Sequence, residues 1–133
     1  MILVDTSVWI DYFNGHNSEQ TDGLDRALIT ETVAIGDLIM LEILQGFRSD
    51  KDYEQVKGLL SNLERYQMFD HHMVTPCAEN YRALRKKGIT VRKTADVIIA
   101  TFCIENYLPL LFCDKDFDPF VDHLGLIPVS NIF

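Results

Sequence analysis

Four acidic residues stand where a carboxylate is conspicuous. Asp5 ends the apolar run "ILV". Glu42 interrupts "LIMLEIL", in which six of seven residues are apolar. Asp96 lies two residues after Thr94 in "TADVIIATFCIENY", and Asp114 follows "LPLLFC". Each has an ordinary alternative. Asp often begins a turn between strand and helix, and a first-turn acid such as Asp96 complements the helix dipole by about 0.5 kcal/mol. Asp114 shares the loop "DKDFD" with Asp116 and Asp118. Glu42 has the weakest alternative, because among Leu41, Ile43 and Leu44 it is expected to be buried. Burial raises a carboxyl pKa by up to ~3–5 units, at ~1.4 kcal/mol per unit. Four such acids gathered at one rim would repel, and a hard divalent cation resolves the repulsion. Mg²⁺ takes oxygen ligands, binds through few carboxylates and keeps several waters. Those waters can attack phosphorus while the ion neutralises a phosphodiester. The acids therefore point to metal-dependent phosphoryl chemistry. No Ser-His-Asp arrangement is legible, no His/Cys spacing suits zinc, and the glycines form no phosphate loop.

The elements that must carry these acids follow from short apolar runs alternating with helical patterns. "ILV" and "TVAIG" (32–36) read as buried strands, "YQMFD" (66–70) as a less distinct third, "LPLLFC" as a fourth, and "LIPVS" as the strand that ends the sheet. Between them, Thr6 or Ser7 is expected to cap a helix with Val8 over Tyr12 and Trp9 over Phe13. A second helix is expected over 21–30 after the turn "NGHNS", and a third after Asp37, its cap, carrying Glu42. The spacing predicts an amphipathic helix over 49–65, one over 75–88 with Thr75, Pro76 and Gly88 as punctuation, and one capped by Thr94. "DKDFDPFVDHLG" reads as an acidic turn and short helix. The alternation implies a parallel sheet covered on both faces, a three-layer α/β/α domain over residues 1–133. In such a sheet ligands gather beyond the carboxyl ends of the strands where strand order reverses. Asp5 and Asp114 would share that rim if their strands flank the reversal.

The three cysteines, Cys77, Cys103 and Cys113, lack paired spacing and fit reduced core thiols of a cytoplasmic protein. No signal peptide is evident and the apolar runs are too short to span a bilayer. The net charge of -8 argues against a nucleic-acid binder, yet six of the twelve basic residues fall in the acid-free stretch "RALRKKGITVRK", 82–93. As a default that stretch is a solvated helix face and turn.

With these residues in place, the chain resembles the PIN-domain ribonucleases, specifically the small VapC-type toxins of toxin–antitoxin pairs. "VDTSVWID" resembles the family's opening strand with its first acid, Asp5, and a hydroxyl at Ser7. "LEILQG" resembles the second motif, with Glu42 and Gly46, and "TADVIIATFCIENYLPLLFCDKDF" the third block, with Asp96, Asp114 and then Asp116. The resemblance covers nearly the whole length. It implies a Mg²⁺- or Mn²⁺-dependent endoribonuclease with a four- or five-stranded parallel sheet, a homodimer, and a cognate antitoxin that occupies the active site, with which it would form a hetero-oligomer. The fourth acid stays open between Asp114 and its neighbours Asp116 and Asp118. The expected division of labour puts Asp5, Asp96 and Asp114 on one or two metal ions and Glu42 on the attacking water, with Ser7 and Asp116 as secondary candidates. Arg85, Lys86, Arg92 and Lys93 would guide the RNA backbone. Two other readings, a Mg²⁺-dependent α/β phosphohydrolase and a receiver-like phosphoacceptor domain, fit less well. A haloacid-dehalogenase-like phosphatase needs an Asp where Ser7 stands, and a receiver-like domain would have only Asp70 as phosphoacceptor. The non-enzymatic alternative is an interaction module with vestigial acids.

Overall fold

The first strand, β1 (Ile2–Val4), is buried at all three positions. Successive strand residues point to opposite faces, so an unbroken buried run means that both faces of the sheet are covered. The second strand, β2 (Val33–Gly36), is likewise buried throughout. The computed structural model describes residues 1–129. It contains a four-stranded, all-parallel sheet in the order β3-β2-β1-β4, with β3 at Glu64–Tyr66 and β4 at Leu110–Leu111. Among the described residues seven helices accompany it in a three-layer α/β/α arrangement: α1 (Thr6–Phe13), α2 (Glu19–Thr30), α3 (Asp37–Gln45), α4 (Asp50–Leu60), α5 (Val74–Lys86), α6 (Thr94–Glu105) and α7 (Asp118–Leu124). Short 3₁₀ turns at His71–Met73 and Lys115–Phe117 lead into α5 and α7.

Strand order runs outward from β1 through β2 to β3 on one side and passes to β4 on the other. The reversal therefore lies between β1 and β4. Their register, Leu3 with Leu110 and Val4 with Leu111, places Asp5 and the segment after Leu111 at the same rim. The Asp5 amide donates to the Leu111 carbonyl at 2.9 Å and closes that joint.

Several local expectations are corrected. The cap of α1 is Asp5 itself, not Thr6 or Ser7. Asp37 is the first residue of α3 rather than its cap, and its carboxylate accepts from the Leu38 and Met68 amides at 2.7 and 3.0 Å. Ser18 forms a capping box with Thr21, so α2 begins before residue 21. The expected 49–65 helix stops at Leu60, and Glu64–Tyr66 pairs with β2 as an edge strand. "YQMFD" is thus not the third strand, which ends where that stretch begins. Met68 passes beneath β2, where a Cβ on Gly36 would fall on its side chain. Asp70, not Thr75, begins the α5 region by capping its 3₁₀ turn, and Lys93 rather than Thr94 precedes α6, without a side-chain cap. Gly88 ends the α5 turn at φ +81°, a conformation that glycine adopts at low cost. The closing strand "LIPVS" reduces to a bridge at Pro128, with Leu110 N–H bonded to the Ile127 carbonyl and Val129 N–H to the Leu110 carbonyl. Neither bond uses the Pro128 nitrogen, so its missing N–H costs this pairing nothing, and Ser130 lies outside the described residues.

Trp9 is fully buried and stacks on Phe13 at 5.7 Å, so this aromatic group is packed into the body of the protein. Cys77 and Cys103 are buried thiols, but Cys113 is exposed, contrary to the expectation of three core cysteines. Among the described residues no helix is long and apolar enough to cross a membrane.

Candidate metal centre

The joint between β1 and α1 fixes Asp5. The residue is 5% exposed and its Oδ2 accepts the Ser7 hydroxyl at 2.8 Å, with the Ser7 amide at 3.5 Å. Burial raises its pKa above the ordinary value. The Ser7 and Thr6 hydrogen bonds oppose that shift, and the Glu42 charge adds to it. Ser7 therefore holds the orientation of Asp5, and its hydroxyl also lies 3.5 Å from the Cys113 sulfur.

Asp96 occupies the first turn of α6 and is 8% exposed. Its pKa is pushed up to about 6, first by burial and then by the negative charge of Asp5; Lys93 opposes this, while Asp114 and Asp116 add to it. Among the described residues, two buried side-chain polar atoms lack a hydrogen-bond partner: Trp9 Nε1, inside the core, and Asp96 Oδ2. A buried carboxylate oxygen without a donor costs roughly 1–3 kcal/mol, so it calls for a partner outside the protein's own groups.

Beside that oxygen, Asp96, Asp114 and Asp116 bring one carboxylate atom each within 4.8 Å of one another. The 3₁₀ turn produces the pairing of the last two, since Asp114 caps it by accepting the Asp116 amide at 2.9 Å. Asp116 also pairs with Arg92 at 3.3 Å. Asp118, the third acid of the loop, is exposed and outside the group. Asp5 is outside the 4.8 Å group but close enough to Asp96 to raise its pKa.

Glu42 corrects the sequence reading. It is only partly buried, since α3 turns Ile39 and Ile43 into the core while Leu41 is 57% exposed. Its Oε1 accepts the Thr6 hydroxyl at 2.7 Å, which ties α3 to the start of α1. Thr6 is the residue that the sequence did not single out for the site. It is a plain hydroxyl beside Asp5, and only the packing of α1 on α3 gives it a partner.

Of the basic residues, Arg92 and Lys93 are exposed at the entry to α6, next to the acids. Arg85 and Lys86 are exposed in the last turn of α5, where Arg85 lies over the Tyr81 ring at 5.7 Å. A cavity of about 700 Å³ beside β2 and β3 and another of about 390 Å³ near Pro128 contain none of Asp5, Glu42, Asp96 or Asp114. The chemistry of the donor set, all oxygen and all anionic, fits a hard divalent ion.

The chain is similar to known proteins over most of its length. Residues 2–120 match the PIN domain family. Ribonuclease VapC11 of Mycobacterium tuberculosis is 33% identical over 120 residues, covering 89% of this chain and 90% of the relative. Among solved structures, VapBC2 from Rickettsia felis, bound to a promoter DNA fragment, superposes with a TM-score of 0.76 at 20% identity, over 96% of this chain and 97% of that one. A toxin–antitoxin complex from Klebsiella pneumoniae superposes with a TM-score of 0.65 at 20% identity, over 96% of each chain.

Proposed function

The chain belongs to the PIN domain family, and from that premise we propose that it is a metal-dependent endoribonuclease, the toxin of a toxin–antitoxin pair. The observation that carries the metal reading is the partnerless, buried Oδ2 of Asp96 beside Asp114 and Asp116. The ribonuclease reading is supported by the relative from Mycobacterium tuberculosis, and the antitoxin partner by the complex from Klebsiella pneumoniae. Residues 1–133 are read as one PIN domain, and a homodimer that joins its antitoxin as a hetero-oligomer remains the expected assembly.

Asp96 and Asp114 would hold the ion, with Asp5 as a direct or water-mediated ligand and Asp116 completing the set. Mg²⁺, or Mn²⁺ in its place, would supply Lewis acidity toward the phosphodiester and an activated water. Ser7 keeps the Asp5 carboxylate turned into the site through its 2.8 Å hydrogen bond. Glu42 is held by Thr6 and accepts the proton of the attacking water. Its partial exposure leaves its carboxylate within reach of a water, as a general base requires. Arg92 and Lys93 at the rim, extended by Arg85 and Lys86, offer cations to the RNA backbone.

The test is cleavage of RNA by the purified protein with Mg²⁺, against a control with EDTA. Activity should require the metal and disappear in Asp5→Asn and Asp96→Asn. Either variant cleaving at the wild-type rate across a Mg²⁺ series would refute the assignment.

A further inference from the structure

We propose that Arg92 is a positioning residue that holds Asp116 in a guanidinium pair until a backbone phosphate draws the guanidinium away, so that metal binding and RNA binding reinforce each other. The inference rests on the metal-dependent reading above and adds a coupling device to it.

The geometry puts one carboxylate under two claims. Arg92 Nη2 lies 3.3 and 3.5 Å from the two oxygens of Asp116. The same carboxylate has an oxygen within 4.8 Å of ligand atoms on Asp96 and Asp114. An acidic cluster alone would not identify a ligand site, but Asp96 Oδ2 is buried and unpaired beside it. A divalent ion drawn to that oxygen meets the positive charge of Arg92 through Asp116. The guanidinium and the ion therefore compete for Asp116 and repel each other.

The two partners differ in freedom. The Asp116 side chain is 27% exposed and its backbone is fixed by the 3₁₀ turn, whereas the Arg92 side chain is 77% exposed. Val91 is buried and anchors the segment, so the guanidinium swings from a fixed base. Arginine forks onto phosphate as well as onto carboxylate. A phosphate at the rim can thus take the guanidinium from Asp116 without unfolding anything. Freed of Arg92, Asp116 turns its full charge to the cation. Linkage requires the converse, that a bound cation frees Arg92 for the phosphate.

The experiment measures Mn²⁺ affinity by calorimetry or electron paramagnetic resonance, with and without a single-stranded oligodeoxynucleotide as the backbone-phosphate probe. Wild type, Arg92→Gln and Arg92→Lys are compared. An exposed ion pair of this kind corresponds to about a two- to fivefold change in affinity. Arg92→Gln should bind Mn²⁺ tighter than wild type by about that factor when no oligonucleotide is present. The oligonucleotide should tighten Mn²⁺ binding in wild type and do so less in Arg92→Gln, with Arg92→Lys between them. If Arg92 merely braced the fold, Arg92→Gln would melt earlier and bind Mn²⁺ more weakly, which overturns the proposal. Equal Mn²⁺ affinities, or equal tightening by the oligonucleotide, also overturn it while leaving the metal centre intact. Failure of wild type to bind Mn²⁺ at all would overturn the metal reading itself, and this inference with it.

Discussion

Asp96→Asn should stabilise the metal-free protein near neutral pH and lose that advantage in acid. The Asp96 carboxyl has a pKa of about 6 in the fold against an ordinary 3.8. The folded state therefore holds the proton more tightly than the unfolded chain does. Its contribution to stability is fully present below about pH 4 and is lost as pH rises to about 6. A gap of roughly two units at ~1.4 kcal/mol each amounts to about 3 kcal/mol by neutral pH. Asn removes the titration but buries an amide whose partners are incomplete, at a cost of about 1–2 kcal/mol. The net gain is about 1–2 kcal/mol, or roughly 3–8 °C in Tm for a chain of this size. Asp5 titrates in the same direction in both proteins, so most of its effect cancels; relief of its repulsion with Asp96 adds to the gain. The assay is thermal or urea unfolding in EDTA from about pH 4 to 7.5, followed by Mg²⁺ addition. Saturating Mg²⁺ should raise the wild-type Tm and leave Asp96→Asn nearly unmoved, since an ion that binds only the native state stabilises it by mass action. An Asn variant that is less stable in EDTA near neutrality, or a stability difference that does not change with pH, would refute the reasoning.

Other sites give sharper local tests. Glu42→Gln should lower RNA cleavage by about 10²-fold or more while its Tm stays close to wild type, because the amide oxygen can still accept from Thr6; a clear fall in Tm would mark Glu42 as structural. Gly36→Ala should cost about 1–3 kcal/mol in urea unfolding, since the added methyl group meets Met68. Neutralising Arg85, Lys86, Arg92 and Lys93 together should weaken RNA binding and flatten its dependence on salt; an unchanged slope in a filter-binding series would leave these residues as a solvated surface.

The sequence carried the fold where strands were short and wholly apolar. "ILV" and "VAIG" are buried on both faces and stand out for that reason. Glu64–Tyr66 is an edge strand with exposed, charged residues, so its pattern merges with that of the helix before it and hides the end of α4 at Leu60. The four acids were visible as residues, but their surroundings were not. Glu42 looked buried because an apolar run does not say which side of a helix meets the core, and Leu41 in fact faces solvent. The partner of Asp116 is Arg92, 24 residues away. No local spacing announces such a pair, which arises because α6 and the 3₁₀ turn after β4 meet at one rim.

The β1–β4 pairing also sets when the site can exist. Asp5 is synthesised well before Leu111, yet its amide is held by the Leu111 carbonyl, and the acids near it are Asp96, Asp114 and Asp116. A growing chain that has not yet exposed the segment after Leu111 has no completed centre, however well β1 and β2 have paired. At ordinary elongation rates of about 5–20 residues per second, the nascent protein spends several seconds without that centre. If these acids carry the proposed cleavage, the order of the strands withholds it during that interval.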